Sequence, residues 1–400
     1  MPPVYSRVTR RRVLATVGTV GSTLLAGCLD DAGPENGDDT TTPGISVDTV
    51  ADGFYHPWAI TIVPPDGELL VTERGGDLWL VDTDGSKSSV SGVPSVHAQG
   101  QGGLLDIALH PEYESDQWVY LTYSATDDGY GSATHLARGR FDRADLALTD
   151  LEVLYVVEPF QGSTQHYGSR VTFGDDGLLY MTSGDRGSKD FSPSHPSQDR
   201  SNAIGSTLRL TPSGEVPEDN PFVDEAGALD ELFSYGHRNA QGLTVHPETG
   251  DLWLSEHGER DGDAIHVLEA GGNYGWPVAH TGCEYASSDP VGDDPFERDD
   301  VVDPVYHWEC DTGGFPPAGM TFYSGDAFPQ WTGDLFVGNL AGQYLGRFTV
   351  DGYEVAETEA LLDDRDWRIR DVEEDPETGH LYVAVDDAEA PIVELAPEQA

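Results

Sequence analysis

One histidine stands in a sequence context that suits proton transfer. His166 lies in the glycine-rich segment 160–170, Phe-Gln-Gly-Ser-Thr-Gln-His-Tyr-Gly-Ser-Arg, directly before a short apolar run. Because imidazole titrates near neutral pH, a histidine that precedes an inner strand can act as a general base. The pattern therefore makes His166 a candidate base, although a structural or solvated histidine is compatible with the same local sequence.

Three arginines form a second candidate set. Arg368 and Arg370 are separated by one residue, so a strand would carry both guanidinium groups on one face. Arg238 lies in a Gly-His-Arg-Asn turn. Guanidinium groups grip carboxylates and carbonyl oxygens with two donors, which suits a ligand with several such oxygens. Ion pairing explains the Arg368/Arg370 pattern equally well, with these acidic neighbours: Asp364, Asp366 and Asp371.

The loop at 257–263, His-Gly-Glu-Arg-Asp-Gly-Asp, interleaves acidic residues with glycines. Carboxylates and inward-facing main-chain carbonyls are the hard oxygen ligands that Ca²⁺ prefers. The loop has neither the spacing of an EF-hand nor the HExxH arrangement of a zinc site. It is compatible with a calcium site and equally with the ordinary Asp/Gly turns of an acidic chain.

These candidates are spaced along a chain built from one recurring unit. The unit is an apolar residue, a turn with Pro or Asp and Gly, and an alternating apolar strand. It occurs in these six segments: 63–73, 109–124, 173–185, 245–257, 328–340 and 374–387. Such a repeat predicts small antiparallel sheets that bury their faces on one another in a ring. We therefore expect an all-β fold, a six-bladed β-propeller.

Closure of such a ring requires the two chain ends to share a sheet. We predict that the early strand 45–50 pairs with the final sheet containing residues 391–395, because this pairing removes exposed edges. Two inserts, 186–232 and 276–329, separate copies of the repeat and are expected to shape a binding face. Two β-sandwich domains are the competing architecture, although sandwiches do not need the repeated turn-Gly-strand unit.

The first 28 residues have the form of an export signal. Residues 9–14 match a twin-arginine pattern and lead into an apolar run that is too short to span a bilayer. The following Leu-Ala-Gly-Cys box predicts a lipid anchor on Cys28; an ordinary signal peptide with an incidental cysteine is the alternative. Residues 29–44 lack apolar bulk and read as an acidic flexible tether. The propeller is then expected to occupy residues 45–400.

Acidic residues dominate the composition. The chain has 72 Asp and Glu against 21 Lys and Arg, which gives a formal net charge of −51. Such a surface repels nucleic acid and anionic lipid, so we expect no nucleic-acid partner. The excess looks like adaptation to very high salt, which makes the protein halophilic and describes its habitat rather than its substrate.

Two cysteines remain once Cys28 is assigned to the lipid. Export favours a disulfide between Cys283 and Cys310. Their positions in the sequence do not by themselves bring the two Cα atoms within bonding range, so the pairing stays open at this point.

Seven segments together resemble the soluble pyrroloquinoline-quinone (PQQ)-dependent glucose/sorbosone and aldose sugar dehydrogenases. They stand in that family's order: 100–113, 166–187, 205–222, 234–243, 254–265, 271–277 and 368–372. The resemblance implies a quinoprotein that oxidises the C1 hydroxyl of an aldose sugar to a lactone with PQQ and Ca²⁺. With the export signal, it predicts a lipid-anchored enzyme on the outer face of the cytoplasmic membrane that passes electrons to a membrane-side acceptor.

The resemblance also implies roles for individual residues. His166 would take the proton of the anomeric hydroxyl as the C1 hydride passes to the quinone C5 carbonyl. Gln101 and Arg238 would lie beside the cofactor and substrate. The remaining quinone-binding residues would be Asn239, Arg368 and Arg370. The main-chain carbonyls of two loop residues would hold the Ca²⁺ that polarises the C5 carbonyl: Gly258 and Glu259.

Three departures from the family pattern concern the same site. Glu259 stands where the family usually has Pro, which matters little if only its carbonyl is used. Ala264 replaces a Glu, which puts a second structural Ca²⁺ site in doubt although Asp263 is kept. Ala341 stands where the family's Lys contacts the quinone carboxylates, and the loss of one charged hydrogen bond costs about 1–3 kcal/mol.

Two other functions remain open on the sequence. Ala341 favours a cofactor-free propeller that acts as a ligand- or sugar-binding protein, since a scaffold can keep its binding face and lose its chemistry. A Ca²⁺-dependent lactonase is the other alternative, but such sites are built from acidic side chains on the axis, whereas these motifs offer His and Arg.

Overall fold

The structure is a computed structural model that describes residues 44–127, 129 and 131–398. The chain is nearly all-β in this part, with one helical turn, α1 (Tyr113–Asp116), and three 3₁₀ turns: Pro196–Gln198, Pro295–Glu297 and Pro329–Trp331. No helix among the described residues is long and apolar enough to cross a membrane. The leader at 1–28 and residues 29–43 of the tether lie outside the described residues and stay predictions.

The strands form six four-stranded antiparallel sheets, the blades of a propeller. In chain order the strands are β1 (Ile45–Phe54), β2 (Pro57–Val63), β3 (Glu68–Glu73), β4 (Leu78–Val81), β5 (Lys87–Val90), β6 (Leu104–Leu109), β7 (Trp118–Thr126), β8 (Ser132–Asp142), β9 (Ala147–Val156), β10 (Val171–Phe173), β11 (Leu179–Ser183), β12 (Ser206–Leu210), β13 (Leu232–Tyr235), β14 (Ala240–Val245), β15 (Leu252–Glu256), β16 (Ala264–Val267), β17 (Ala279–Cys283), β18 (Pro290–Gly292), β19 (Tyr306–His307), β20 (Pro317–Phe322), β21 (Leu335–Asn339), β22 (Tyr344–Asp351), β23 (Glu354–Leu361), β24 (Ile369–Glu374), β25 (Leu381–Val385) and β26 (Ala390–Pro397). From the axis outward, the blades are β2–β5, β6–β9, β10–β13, β14–β15–β16–β19, β20–β23 and β24–β25–β26–β1. The predicted six-bladed propeller is confirmed.

Each sequence repeat is the hairpin that joins the two innermost strands of a blade, as β14 and β15 do in blade four. The ring closes as expected, because β1 pairs antiparallel with β26, with Ile45 opposite Pro397 and Thr49 opposite Val393. The first insert contains β12 of blade three, which divides its irregular part into 186–205 and 211–231. The second insert carries the extra hairpin β17–β18.

The buried apolar side chains lie mainly between blades. Six clusters fill the six seams of the ring. In the seam between blades four and five, for example, Trp253 packs with Phe322 and Val337. Since each blade buries its faces only on its neighbours, no single blade supplies a complete core.

A buried arginine joins the inner strands at the axis. Arg170, directly before β10, donates from Nη1 to Asp106 Oδ1 and from Nη2 to Asp371 Oδ1, at 2.8 Å in each case. Its Nε donates to the Gln241 carbonyl at 2.7 Å. Its guanidinium carbon lies 4.3 Å from the centroid of the Trp58 ring. We call Arg170, Asp106 and Asp371 the axial hub.

The axial hub reaches the remaining blade through a glycine. A Cβ atom on Gly319 of β20 would lie 1.8 Å from Asp371 Oδ1 and 2.6 Å from Arg170 Nη2. Only a residue without a side chain therefore lets blade five approach the hub. The hub contacts all six blades, since Asp371 Oδ2 also accepts the Ile60 amide of blade one at 2.9 Å.

We predict that R170M lowers the free energy of unfolding by about 3–5 kcal/mol, because two buried carboxylates lose their shared cation. Burial raises the pKa of Asp106 to about 6 even beside Arg170, and the substitution would raise it further above the unfolded value. The folded state would then bind more protons than the unfolded state, so the deficit should shrink as pH falls from about 8 to 5. Denaturant unfolding of R170M and of the wild type across this pH range measures the difference in their free energies of unfolding. A difference that does not change with pH would contradict the account.

Candidate active site

His166 is held by a buried aspartate. His166 Nδ1 lies 2.6 Å from Asp185 Oδ1, and the other carboxylate oxygen accepts from Trp276 Nε1 at 2.8 Å. With Nδ1 as the donor, the Nε2 lone pair is left to accept a proton. The His166 amide donates to Gln101 Oε1 at 2.7 Å. The His166 backbone has φ 50°, and its carbonyl lies where a Cβ on Gly184 would approach to 2.3 Å.

The surroundings of His166 keep its imidazole neutral. Burial lowers its pKa, and the positive charges of Arg238 and Lys189 act in the same direction against the Asp185 hydrogen bond. Burial alone would raise the pKa of Asp185, but the hydrogen bond with His166 and the charges of His166 and Arg238 hold it below its ordinary value. A neutral imidazole beside an ionised carboxylate is the arrangement that general-base catalysis requires.

Arg238 and Asn239 follow the turn before β14. Arg238 Nη2 donates to Glu259 Oε2 at 2.8 Å, and its guanidinium carbon lies 5.2 Å from the centroid of the Trp276 ring. Asn239 Oδ1 accepts the Gly168 amide at 3.2 Å, beside His166. Two buried donors of this pair, Arg238 Nε and Asn239 Nδ2, have no protein acceptor. The pair therefore offers hydrogen bonds that a ligand rich in oxygen acceptors can take.

Arg368 and Arg370 share one carboxylate, Asp386. Arg370 Nη2 donates to Asp386 Oδ2 at 2.7 Å and Nη1 donates to Gln241 Oε1 at 3.0 Å, which leaves its buried Nε without a partner. Arg368 Nη2 lies 3.5 Å from the same Asp386 oxygen, and Nη1 donates to the Leu340 carbonyl at 3.1 Å. The neighbours at 364 and 366 do not pair with either arginine, and Asp371 belongs to the axial hub.

The loop at 257–263 is shaped by Asp263. Asp263 Oδ1 accepts the Gly258 amide at 2.9 Å and Oδ2 accepts the Phe315 amide at 2.8 Å. Burial raises the pKa of Asp263. Both of its carboxylate oxygens thus hold the backbone in place. Among the described residues we find no hydrogen bond to the carbonyl oxygens of Gly258 and Glu259, so both are free to bind a cation.

The structure joins Cys283 and Cys310 in a disulfide with a Cα–Cα distance of 5.7 Å. Both halves of this disulfide border the same loop. The Arg260 amide donates to the Cys283 carbonyl at 3.0 Å, and the Cys283 amide donates back at 3.1 Å. The Asp311 amide, next to Cys310, donates to Asp261 Oδ2 at 2.6 Å. The disulfide therefore fixes the flanks of the loop.

Several residues of the site were missed by the sequence reasoning. Asp185, Trp276 and Asp386 carry no local signal, because each acts through a partner that is distant in sequence. His257 is half-buried near Arg238, His166 and Arg370, and desolvation together with these charges lowers its pKa to about 3. Arg74 has a buried Nε without a partner and lies close enough to Asp386 to lower the pKa of that carboxyl.

The axial hub separates this site from a cavity at the other mouth of the channel. That cavity has a volume of about 860 Å³ and is lined by the distal parts of the inner strands, including Thr61, Thr172 and Glu373. The predicted base and arginines instead precede or begin their inner strands. The geometry thus places the candidate site at the mouth where the inner strands start.

Comparisons with known proteins identify the family of the chain. Residues 54–394 match the family model described as Glucose / Sorbosone dehydrogenase, so the chain belongs to that family. It is 36% identical over 359 residues to the aldose sugar dehydrogenase YliI of Escherichia coli K12, and the match covers 88% of this chain and 93% of the relative.

Solved structures show the same likeness. The apo form of the soluble aldose sugar dehydrogenase from Escherichia coli superposes with a TM-score of 0.82 at 35% identity, covering 89% of this chain and 100% of that one. The PQQ-bound aldose sugar dehydrogenase from Streptomyces coelicolor superposes with a TM-score of 0.71 at 30% identity, covering 88% and 99%. The chain is thus similar throughout the propeller to one protein solved in an apo form and to one solved with PQQ bound.

We expect D185N to lower kcat by about 10²- to 10⁴-fold, because the imidazole loses the group that orients it and stabilises its protonated form. The hydrogen bond with Asp185 raises the pKa of His166, so its loss should also shift the acid limb of the pH–rate profile to lower pH. Steady-state assays of sugar oxidation between pH 4 and 8 test both effects. D175N, in an exposed turn of the same blade, is the control, and an equal loss in both variants would contradict the role of Asp185.

Proposed function

We propose that the protein is a PQQ-dependent aldose dehydrogenase that oxidises the C1 hydroxyl of a sugar to a lactone. One observation carries this proposal. A neutral His166, hydrogen-bonded to Asp185, lies in the same site as buried hydrogen-bond donors that lack protein acceptors. His257 lies close to both His166 and the arginines, since the charges of Arg238, His166 and Arg370 all lower its pKa. Sugar oxidation needs a base at the hydroxyl and a bound oxidant beside it, and His166 and the unpartnered donors would serve these two roles.

The unpartnered donors fit a ligand with carboxylates and carbonyl oxygens. Buried donors without acceptors cost about 1–3 kcal/mol each, so an acceptor-rich ligand relieves them. The residues that would hold PQQ are Asn239, Arg368 and Arg370, with Gln101 and Arg238 beside it. When bound, PQQ supplies the hydride acceptor. Arg368 lies at the Leu340 carbonyl, next to Ala341, so it brings positive charge to the place where the family's lysine is absent.

The protein's own part in the reaction is proton transfer and orientation. His166 Nε2 takes the proton of the sugar hydroxyl, and Asp185 stabilises the resulting imidazolium through Nδ1. The Trp276 indole donates to the second Asp185 oxygen and so fixes the carboxylate plane. Burial, helped by the charges of Arg238 and Lys189, lowers the pKa of the imidazole and keeps it neutral before the reaction. Arg238 also lies where it can orient the substrate.

The calcium assignment is part of the proposal. The carbonyls of Gly258 and Glu259 would bind Ca²⁺, while Asp263 is retained to hold the loop rather than to ligate through its carboxylate. Export through the twin-arginine leader and anchoring at Cys28 are likewise proposed, on the sequence pattern. They would place the site beside an electron acceptor at the outer face of the cytoplasmic membrane.

The test is reconstitution of the purified protein with Ca²⁺ and PQQ in high salt, followed by aldose oxidation with an artificial dye as acceptor. We expect sugar-dependent dye reduction that is lost on chelation of Ca²⁺ and restored by its return. Quinone binding without sugar-dependent reduction would contradict the enzyme assignment. Failure of the quinone to co-elute on gel filtration would favour the cofactor-free binding protein.

We predict that R370Q weakens PQQ binding by about 10- to 100-fold, the effect of one charged hydrogen bond of about 1.5–3 kcal/mol. Arg370 is buried, so salt should screen this contact little. Absorbance titration of the quinone measures the change. R365Q removes a nearby exposed arginine that pairs with Asp364 at 3.4 Å and should leave the affinity unchanged; equal affinities for R370Q and the wild type would refute the assignment.

A further inference from the structure

Three charged residues form a chain across the mouth of the site. The Glu259 carboxylate is only 3% exposed and accepts from Arg238 Nη2 at 2.8 Å. It also accepts from Lys189 Nζ through both of its oxygens. Lys189 comes from the first insert, and its side chain is 56% exposed. One buried carboxylate therefore binds a buried arginine on one side and a solvent-facing lysine on the other.

The segment that carries Lys189 is anchored at both ends but is half-exposed between them. At its start, Arg186 Nη1 donates to the Ser132 carbonyl at 2.8 Å. At its end, the buried His195 ring packs edge-on against Trp276, with ring centroids 6.1 Å apart. Residues 188–194 lie between these anchors. Lys189 ties this segment to the loop at 257–263 through its contact with Glu259.

Aromatic rings support the lysine at this position. Lys189 Nζ lies 5.4 Å from the centroid of the Tyr285 ring and 6.0 Å from that of Phe191. Phe191 packs edge-on against Trp276 with centroids 5.7 Å apart, and Trp276 holds Asp185. Residues from both inserts thus meet at Lys189. From there, Phe191 and Trp276 lead to Asp185, the partner of His166.

We propose that Lys189 and Glu259 are positioning residues that latch segment 188–194 over the site and set the position of Arg238. A buried carboxylate is stable only with its charge and hydrogen bonds satisfied, so Glu259 needs both cations in place. The assignment of the ligand under the latch rests on the proposed function. The latch itself rests on the contacts of the protein alone.

Two substitutions separate the two halves of the latch. K189M releases the segment but leaves the buried Arg238–Glu259 pair. E259Q removes the shared carboxylate, which frees the lysine and leaves Arg238 with a 3.3 Å contact to the His257 carbonyl. K189R restores a cation and is the rescue variant. K87M is the matched control: Lys87, the only other lysine of the sequence, likewise lies over aromatic rings, but it is on an outer strand and donates to the Gly53 carbonyl rather than to a carboxylate.

The direct test is amide hydrogen exchange of residues 188–194 in the protein without quinone or sugar. We expect exchange about tenfold faster in K189M and in E259Q, since local opening loses a charged contact, and wild-type exchange in K189R and K87M. After reconstitution, K189M should raise the sugar KM more than it lowers kcat. E259Q should also weaken quinone binding by about tenfold, because Arg238 loses its principal partner.

Equal exchange of 188–194 in K189M and K87M would overturn the latch, whatever the activities. Equal quinone affinity in E259Q and the wild type would overturn the positioning of Arg238. If no variant and no wild-type sample binds the quinone, the proposed function fails, while the exchange measurement still decides the latch.

Discussion

The buried guanidinium of Arg170 is the contact on which the geometry of the whole ring depends. In a propeller the inner strands of all blades surround one axis, and here one cation and two carboxylates join them there. Asp106 and Asp371 form ion pairs with Arg170, and the Gln241 carbonyl accepts a hydrogen bond from its Nε. Gly319 has no side chain, which leaves the space that blade five needs to approach the hub. Such a buried triad is costly to desolvate, so its geometry must be well satisfied.

The candidate site follows from this convergence. His166 lies four residues before Arg170, and Arg370 directly precedes Asp371, so the axial hub fixes the backbone from which both site residues project. Gln241 also connects Arg370 to the hub. Its side-chain oxygen accepts from Arg370, and its main-chain carbonyl accepts from Arg170. Residues from separate blades thus meet at one mouth of the ring. The ion pairs of Glu259 with Arg238 and Lys189 extend these contacts from the axis to the first insert.

Local sequence was enough to predict the blades, because alternating apolar strands and their turns are short-range patterns. It was also enough to single out His166 and Arg238, whose types and turns are unusual. It did not predict Asp185, whose Trp276 contact spans 91 positions, or Arg170, whose Asp106 contact spans 64. The nearby aspartates offered as alternative partners of Arg368 and Arg370 were wrong for the same reason, because Asp386, which the hairpin of blade six brings close, supplies the charge. The Glu259 side chain was misjudged as incidental because its two cations, Arg238 and Lys189, are 21 and 70 positions away in the sequence.

The most direct measurement is an experimental structure of the protein reconstituted with Ca²⁺ and PQQ. The account predicts a tricyclic quinone at the mouth where the inner strands begin, with Arg370 and Asn239 donating to its oxygens, His166 Nε2 facing the adjoining substrate space, and Ca²⁺ on the carbonyls of Gly258 and Glu259. A quinone bound on the other side of the axial hub, or one that leaves these donors without acceptors, would contradict it.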